Sequence, residues 1–184
     1  MDLPWVWIIL AVVVALLLMW LVGTYNRLVN QRELVDNSMG QVAAQVESRW
    51  DALTSLISAA KQYAAHEADA LEAVTARRTR ITPASSVSQV AADDHDFAGA
   101  LARFTAVAEA YPQLRASETY RDAMNGVNAF ENNVRHSRMI YNDSVTKLNR
   151  DVKQFPTSIA AALFGFRPRD YFQATAAKSD MPSW

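Results

Sequence analysis

The sequence predicts an all-α protein: an N-terminal transmembrane helix continuing into an elongated antiparallel bundle of long helices, with a short C-terminal helix. Three observations predict it. An uncharged apolar run opens the chain, and apolar residues then recur at sevenfold spacing along two long stretches. Only five glycines and six prolines occur among 184 residues rich in Ala, Val and Leu, which favours helix over turn-rich sheet.

The first element is LPWVWIILAVVVALLLMWLVG, 21 residues from Leu3 to Gly23. At about 1.5 Å per residue it crosses a hydrocarbon core of roughly 30 Å. A secretory signal would carry a basic start and small residues at a cleavage site. This run instead begins Met1-Asp2 and leaves through Met19-Trp20-Leu21-Val22, so residues 1–24 are expected to stay as an anchor. Trp5 and Trp7 near one end, with Trp20 and Tyr25 near the other, sit where indole and phenol rings favour the headgroup boundary. Ala11 and Ala15 form a small-xxx-small pair that would let two spanning helices approach, although such pairs arise readily by chance in a span rich in Ala, Val and Leu. Arg27 and Arg32 follow the span and no basic residue precedes it, so the positive-inside bias places the N-terminus outside and the body in the cytoplasm.

The body, residues 25–172, begins with a heptad pattern. Leu28, Val35, Val42, Leu56 and Tyr63 form one set, and Tyr25, Met39, Val46, Leu53 and Ala60 the other, broken by Arg32 and Arg49. No proline interrupts Thr24 to Ala68, a potential stalk of about 65 Å whose apolar stripe needs partners from later in the chain. A second helix is expected from Glu67 to about Arg78, with a loop at Ile81-Thr82-Pro83-Ala84-Ser85-Ser86. Asp94 or Asp96 is expected to cap the next helix, whose Phe97, Leu101, Phe104 and Val107 or Ala108 share a face until Tyr111-Pro112 ends it.

Ser117-Glu118 then opens a long helix with Tyr120, Val127, Val134, Tyr141 and Leu148 at sevenfold spacing. Met124, Val145 and Val152 widen its stripe. Glu131 and Arg138 fall on the widened stripe, either fixing register between helices or lying at its solvated edge. Phe155-Pro156 stops this helix, and Thr157 to Phe164 reads as a last short one with Gly165 as C-terminal cap. Its face is Ile159, Leu163 and Phe166. Packing on the bundle end is the simpler expectation for that face, and a membrane surface the other. Residues 173–184 are expected to be a flexible tail.

Chemistry leaves few marks. All 18 Lys and Arg lie after residue 26 and one of the 19 acids is Asp2, so the body carries as many positive as negative charges, which argues against nucleic acid as a partner. The absence of cysteine excludes thiolate chemistry and disulfides. His66, His95 and His136 are too far apart for a local metal motif, and Asp93, Asp94 and Asp96 lack a calcium loop, so capping and solvation explain that cluster better. The isolated glycines form no phosphate loop. Arg77-Arg78-Thr79-Arg80 is the sharpest basic run, suited to anionic lipid or an acidic partner, or more simply to a helix C-terminus. No catalytic residue, cofactor or metal is expected.

In order, Tyr25-Asn26-Arg27-Leu28-Val29, Arg49-Trp50-Asp51-Ala52-Leu53 and Tyr63-Ala64-Ala65-His66-Glu67 resemble motifs of the LemA family. So do Ala106-Val107-Ala108-Glu109-Ala110-Tyr111-Pro112-Gln113-Leu114, Glu131-Asn132, Tyr141-Asn142-Asp143, and Phe155-Pro156 through Phe164-Gly165-Phe166. The likeness covers roughly residues 20–172. It departs at Ala52-Leu53-Thr54-Ser55-Leu56, which lacks the family's usual proline, and at Leu148-Asn149, where the family tends to repeat Tyr-Asn. The resemblance implies a single-span bacterial inner-membrane protein with a body of long antiparallel helices, and no established activity. It also implies an association with membrane-organelle biogenesis and with membrane zinc proteases, one of which is a possible protein partner.

The resulting expectation is a non-enzymatic scaffold or adaptor presenting a coiled-coil-like surface to another envelope protein. A self-assembling or membrane-organising structural protein is the alternative. A hydrolase would need a pocket assembled from scattered acids or histidines.

Overall fold

The computed structural model describes residues 3–63 and 78–173. Among them are five helices and no strand. Helix α1 runs unbroken over Leu3–Ala60, 58 residues, with no proline after its first turn to remove a backbone donor. From Trp5 to Val22 its side chains are exposed apart from a half-buried Leu21, and Thr24 is the first buried residue. The protein's own cover on α1 therefore begins where the apolar run ends. By length and composition α1 can cross a membrane. Trp5, Trp7, Ala11, Ala15, Trp20 and Tyr25 all lie on its exposed surface. The expected helix from Glu67 lies almost wholly outside the described residues, as do His66, Arg77 and the tail from Ala174.

Helix α2 (Val87–Ala110) starts earlier than the acidic residues suggest. Ser86 is its N-cap, accepting from the Gln89 amide while the Gln89 side chain accepts from the Ser86 amide. This reciprocal box satisfies two orphan donors, so Asp94 and Asp96 fall inside the helix and cap nothing. Tyr111-Pro112 ends α2 as expected, with a single turn, α3 (Pro112–Ala116), beyond it. Helix α4 (Glu118–Lys153) opens behind Ser117, whose hydroxyl accepts from the Tyr120 amide. Helix α5 (Thr157–Leu163) closes at Gly165, whose φ of +74° suits a residue without Cβ. The amides of Phe166 and Gly165 reach back to the carbonyls of Ala161 and Ala162, capping the helix end.

The chain divides into two compact units, Met1–Asp36 with Asn142–Asp170, and Asn37–Tyr141 with Tyr171–Trp184. In the first, Leu28 and Val35 of α1 are buried along with Val145 and Leu148 of α4. Asp151 accepts from Arg27 Nη2 at 2.9 Å and Gln31 Nε2 at 2.7 Å, which joins α1 to α4 in antiparallel register. Asn149 exchanges two 2.8 Å hydrogen bonds with the backbone of Arg169 and so anchors the segment after α5. Asp151→Ala is expected to lose about 1–3 kcal/mol, because a buried acceptor of charged and amide donors disappears; thermal unfolding followed by circular dichroism in detergent measures it.

In the second unit Met39, Val42, Val46, Leu53, Leu56 and Ala60 continue the α1 stripe, all buried. Of the ten heptad residues only Tyr25 and Tyr63 are exposed. Val90, Phe97, Ala100, Phe104 and Ala108 of α2 and Val127, Val134 and Tyr141 of α4 complete this core. Phe104 stacks on Tyr120 with ring centroids 6.1 Å apart. Burying these faces together supplies the partners that a single long helix lacks.

A buried ion network as the candidate functional site

The most unusual chemistry lies in the second unit, where charge is buried in a helical core. Arg49 occupies the α1 heptad position between Val42 and Leu56, so the helix that buries its neighbours buries the guanidinium as well, leaving it 1% exposed. Such a charge survives only with partners. Its Nη2 meets Asp93 Oδ2 at 3.0 Å and Asp94 Oδ1 at 3.1 Å, and its Nη1 meets Glu131 Oε2 at 2.8 Å. Arg138 adds a 2.5 Å contact to the same Asp94 oxygen. Three helices thus converge on two guanidinium groups and three carboxylates.

The aromatic surroundings are equally specific. Trp50 donates its indole N–H to both oxygens of Asp93, at 3.0 and 3.2 Å. Its ring meets Phe97 edge-on at 5.2 Å, while the Arg49 guanidinium lies 4.1 Å from the Phe97 centroid. Arg138 lies over Phe172 at 5.2 Å, and Tyr141 packs edge-on against the same ring.

Asp93 is 0% exposed. Burial pushes its carboxyl above the ordinary aspartate range, the Trp50 hydrogen bond and the Arg49 charge pull it back, and Asp94 pushes it up again. A raised pKa means the folded state holds a proton that the unfolded chain has released. The stabilisation is full below about pH 4 and is lost as pH rises through the folded value. The Asp93→Asn variant does not titrate there. The stability of wild type relative to this variant is therefore expected to fall as pH rises above about 4. Denaturant titrations at several pH values test this, and parallel curves for the two proteins would refute it.

The network gathers three residues that stand out in the sequence, Arg49, Glu131 and Arg138, and adds Asp93, Asp94, Trp50 and Phe97. The solvated reading of the acidic cluster is overturned for Asp93. It lies three residues after Val90 and four before Phe97, on the apolar stripe of α2, and that spacing was the signal that marked it. Arg32 is not part of this network. It lies in the first unit, exposed, with its guanidinium 5.6 Å from the Phe166 ring. Arg78 pairs with Asp51 and Glu47 on the α1 surface at 2.8 and 3.2 Å, and Arg80 shares a cavity with Trp50 and Val46. His95 and His136 are exposed, and no group of three metal-ligating side chains occurs among the described residues.

What the fold and this network define is an all-α protein whose heptad-patterned helices are tied together by buried ion pairs and joined to a helix of membrane-spanning length. A family model described as the LemA family matches residues 38–183, most of the sequence, and the chain belongs to that family. Over 84 residues it is 31% identical to the magnetosome proteins MamQ 1 and MamQ 2 of Paramagnetospirillum magneticum. It is 29% identical over the same length to the magnetosome protein MamQ of Magnetospirillum gryphiswaldense. Each match covers 46% of this chain and 31% of the relative, so the chain spans about a third of the curated relatives it matches.

Proposed function

We propose that this protein is a membrane-anchored, non-enzymatic helical scaffold or adaptor that presents a coiled-coil-like surface to another envelope protein. The buried ion network is the observation that carries the reading. The most perturbed carboxyl, Asp93, is closed to solvent and engaged on both oxygens, so it is placed to hold helices in register and not to exchange protons with a substrate. Polar groups buried on heptad stripes specify one alignment over its sliding alternatives, and a surface that docks a partner needs such an alignment. Arg27 and Arg32 support a cytoplasmic body below a bacterial inner membrane.

The similarity to proteins named for the magnetosome favours a second reading, a self-assembling or membrane-organising structural protein. One experiment separates the two. The full chain is tagged at its C-terminus, crosslinked in native membranes and gently solubilised, with residues 1–24 alone as control. The adaptor reading expects a different protein at near-stoichiometric yield that requires the body. Recovery of this chain alone as a discrete oligomer would overturn it in favour of self-assembly.

A further inference from the structure

The sequence left two destinations for the face Ile159, Leu163 and Phe166, and the structure divides it: Phe166 packs against Tyr25 and Arg32, while Ile159 and Leu163 stay exposed. Ala160 and Ala161 are the residues α5 buries, while Ile159 is 59% and Leu163 67% exposed, and Phe155, four residues before Ile159, is 76% exposed. Four-residue spacing sets Ile159 and Leu163 on one side of the helix. Ile159 and Leu163 on that side, and Phe155 in the turn before the helix, are thus left uncovered, although two small alanines suffice to seat α5.

The position of this face within its unit names its occupant. Tyr25 lies two residues past the end of the apolar run, about 3 Å further along the axis at 1.5 Å per residue. Its ring meets Phe164 edge-on at 4.8 Å and Phe166 at 6.1 Å. The segment carrying Leu163 is therefore packed against α1 at the level where a span of about 30 Å meets the headgroups. Beside it Arg32, Arg167 and Arg169 line a cavity of about 330 Å³ together with Leu148, Phe164 and Phe166. Arg169 also reaches Asp36 at 3.3 Å. Apolar side chains beside a basic rim, at the end of a spanning helix, form the pattern of an element lying in the interfacial plane.

We propose that α5 and its flanks are a second membrane contact: Phe155, Ile159 and Leu163 enter the boundary between headgroups and acyl chains, and the arginine-lined cavity receives the phosphate of an anionic lipid. The anchor is then a span plus an interfacial foot, which limits how the first unit can tilt on the bilayer.

The chain has no cysteine, so single labels can be placed in the full protein without background. Leu163→Cys and, separately, Phe155→Cys carry an environment-sensitive fluorophore in nanodiscs of mixed zwitterionic and anionic phospholipid. Val13→Cys in the apolar run reports insertion, and Ala98→Cys on the exposed side of α2 serves as the aqueous reference. The labels at 163 and 155 are expected to shift to the blue, resist aqueous iodide and lose most of their emission to lipid bearing a nitroxide near the headgroup end of the acyl chain. Emission and iodide access equal to the reference would overturn the proposal. So would a blue shift without nitroxide quenching, because protein, a second copy included, would then cover the face. Replacing Arg167 and Arg169 with Gln is expected to weaken quenching in anionic discs only, and equal quenching in purely zwitterionic discs would overturn the lipid role of the arginines.

Discussion

Arg49→Met is expected to destabilise the second unit by about 3–5 kcal/mol at neutral pH, the range for breaking a buried ion pair by removing one partner. Methionine keeps much of the side-chain length but removes the donors to Asp93, Asp94 and Glu131. Asp94 retains Arg138, and Glu131 keeps access to water. Asp93 retains only the Trp50 indole while remaining sealed from solvent. Without the guanidinium its pKa rises further, so the variant's deficit should shrink as pH falls and Asp93 takes up a proton. Urea unfolding of the full chain in detergent at neutral and acidic pH measures both effects. Combining Arg49→Met with Asp93→Asn should recover part of the loss, and the double-mutant cycle isolates the coupling between the pair. A single-variant loss below about 1 kcal/mol would show that the network adds little to stability.

Trp50→Ala is the other large effect, about 3–5 kcal/mol by the usual range for truncating a buried aromatic. Trp50 is fully buried against Phe97 and also holds both oxygens of Asp93. Its loss opens a cavity and strips the carboxylate of a neutral donor in one step. Trp50→Phe separates the two contributions, since it fills most of the space and removes only the indole N–H, for an expected loss of about 1–3 kcal/mol. Thermal unfolding of the pair should show the alanine variant melting lower by an amount on the order of 10 °C. Equal melting points would mean that packing contributes little here and the hydrogen bond most.

Some of the site was legible because charge on an apolar stripe breaks a pattern. Arg49 stands at sevenfold spacing between Val42 and Leu56, and Glu131 and Arg138, seven residues apart, stand between Met124 and Val145. Asp93 breaks the α2 stripe in the same way, but Asp94 and Asp96 stand beside it, and the three together look like an acidic helix start. The true start is the Ser86–Gln89 box, seven residues upstream of Asp93. Locating it removes the capping role and exposes Asp93 as a core residue. The face of α5 misled in the opposite direction, since Ile159 and Leu163 look like core side chains while the alanines between them make the contact.

The helical class, the apolar span and the helix ends at Tyr111-Pro112, Ser117 and Phe155-Pro156 were all readable in the residues alone. Each of these depends on chemistry within a few residues: missing backbone donors, hydroxyl caps and the periodicity of one face. Which carboxylates answer Arg49 depends on packing, because its partners lie 44, 45 and 82 residues away and meet it only when three helix faces close together. Packing also makes Asp93 lose water while the adjacent Asp94 keeps some, since burial belongs to the packed face and not to the residue type. The uncovered face of α5 was decided in the same way, by two small side chains that let the helix sit close while its large ones point away.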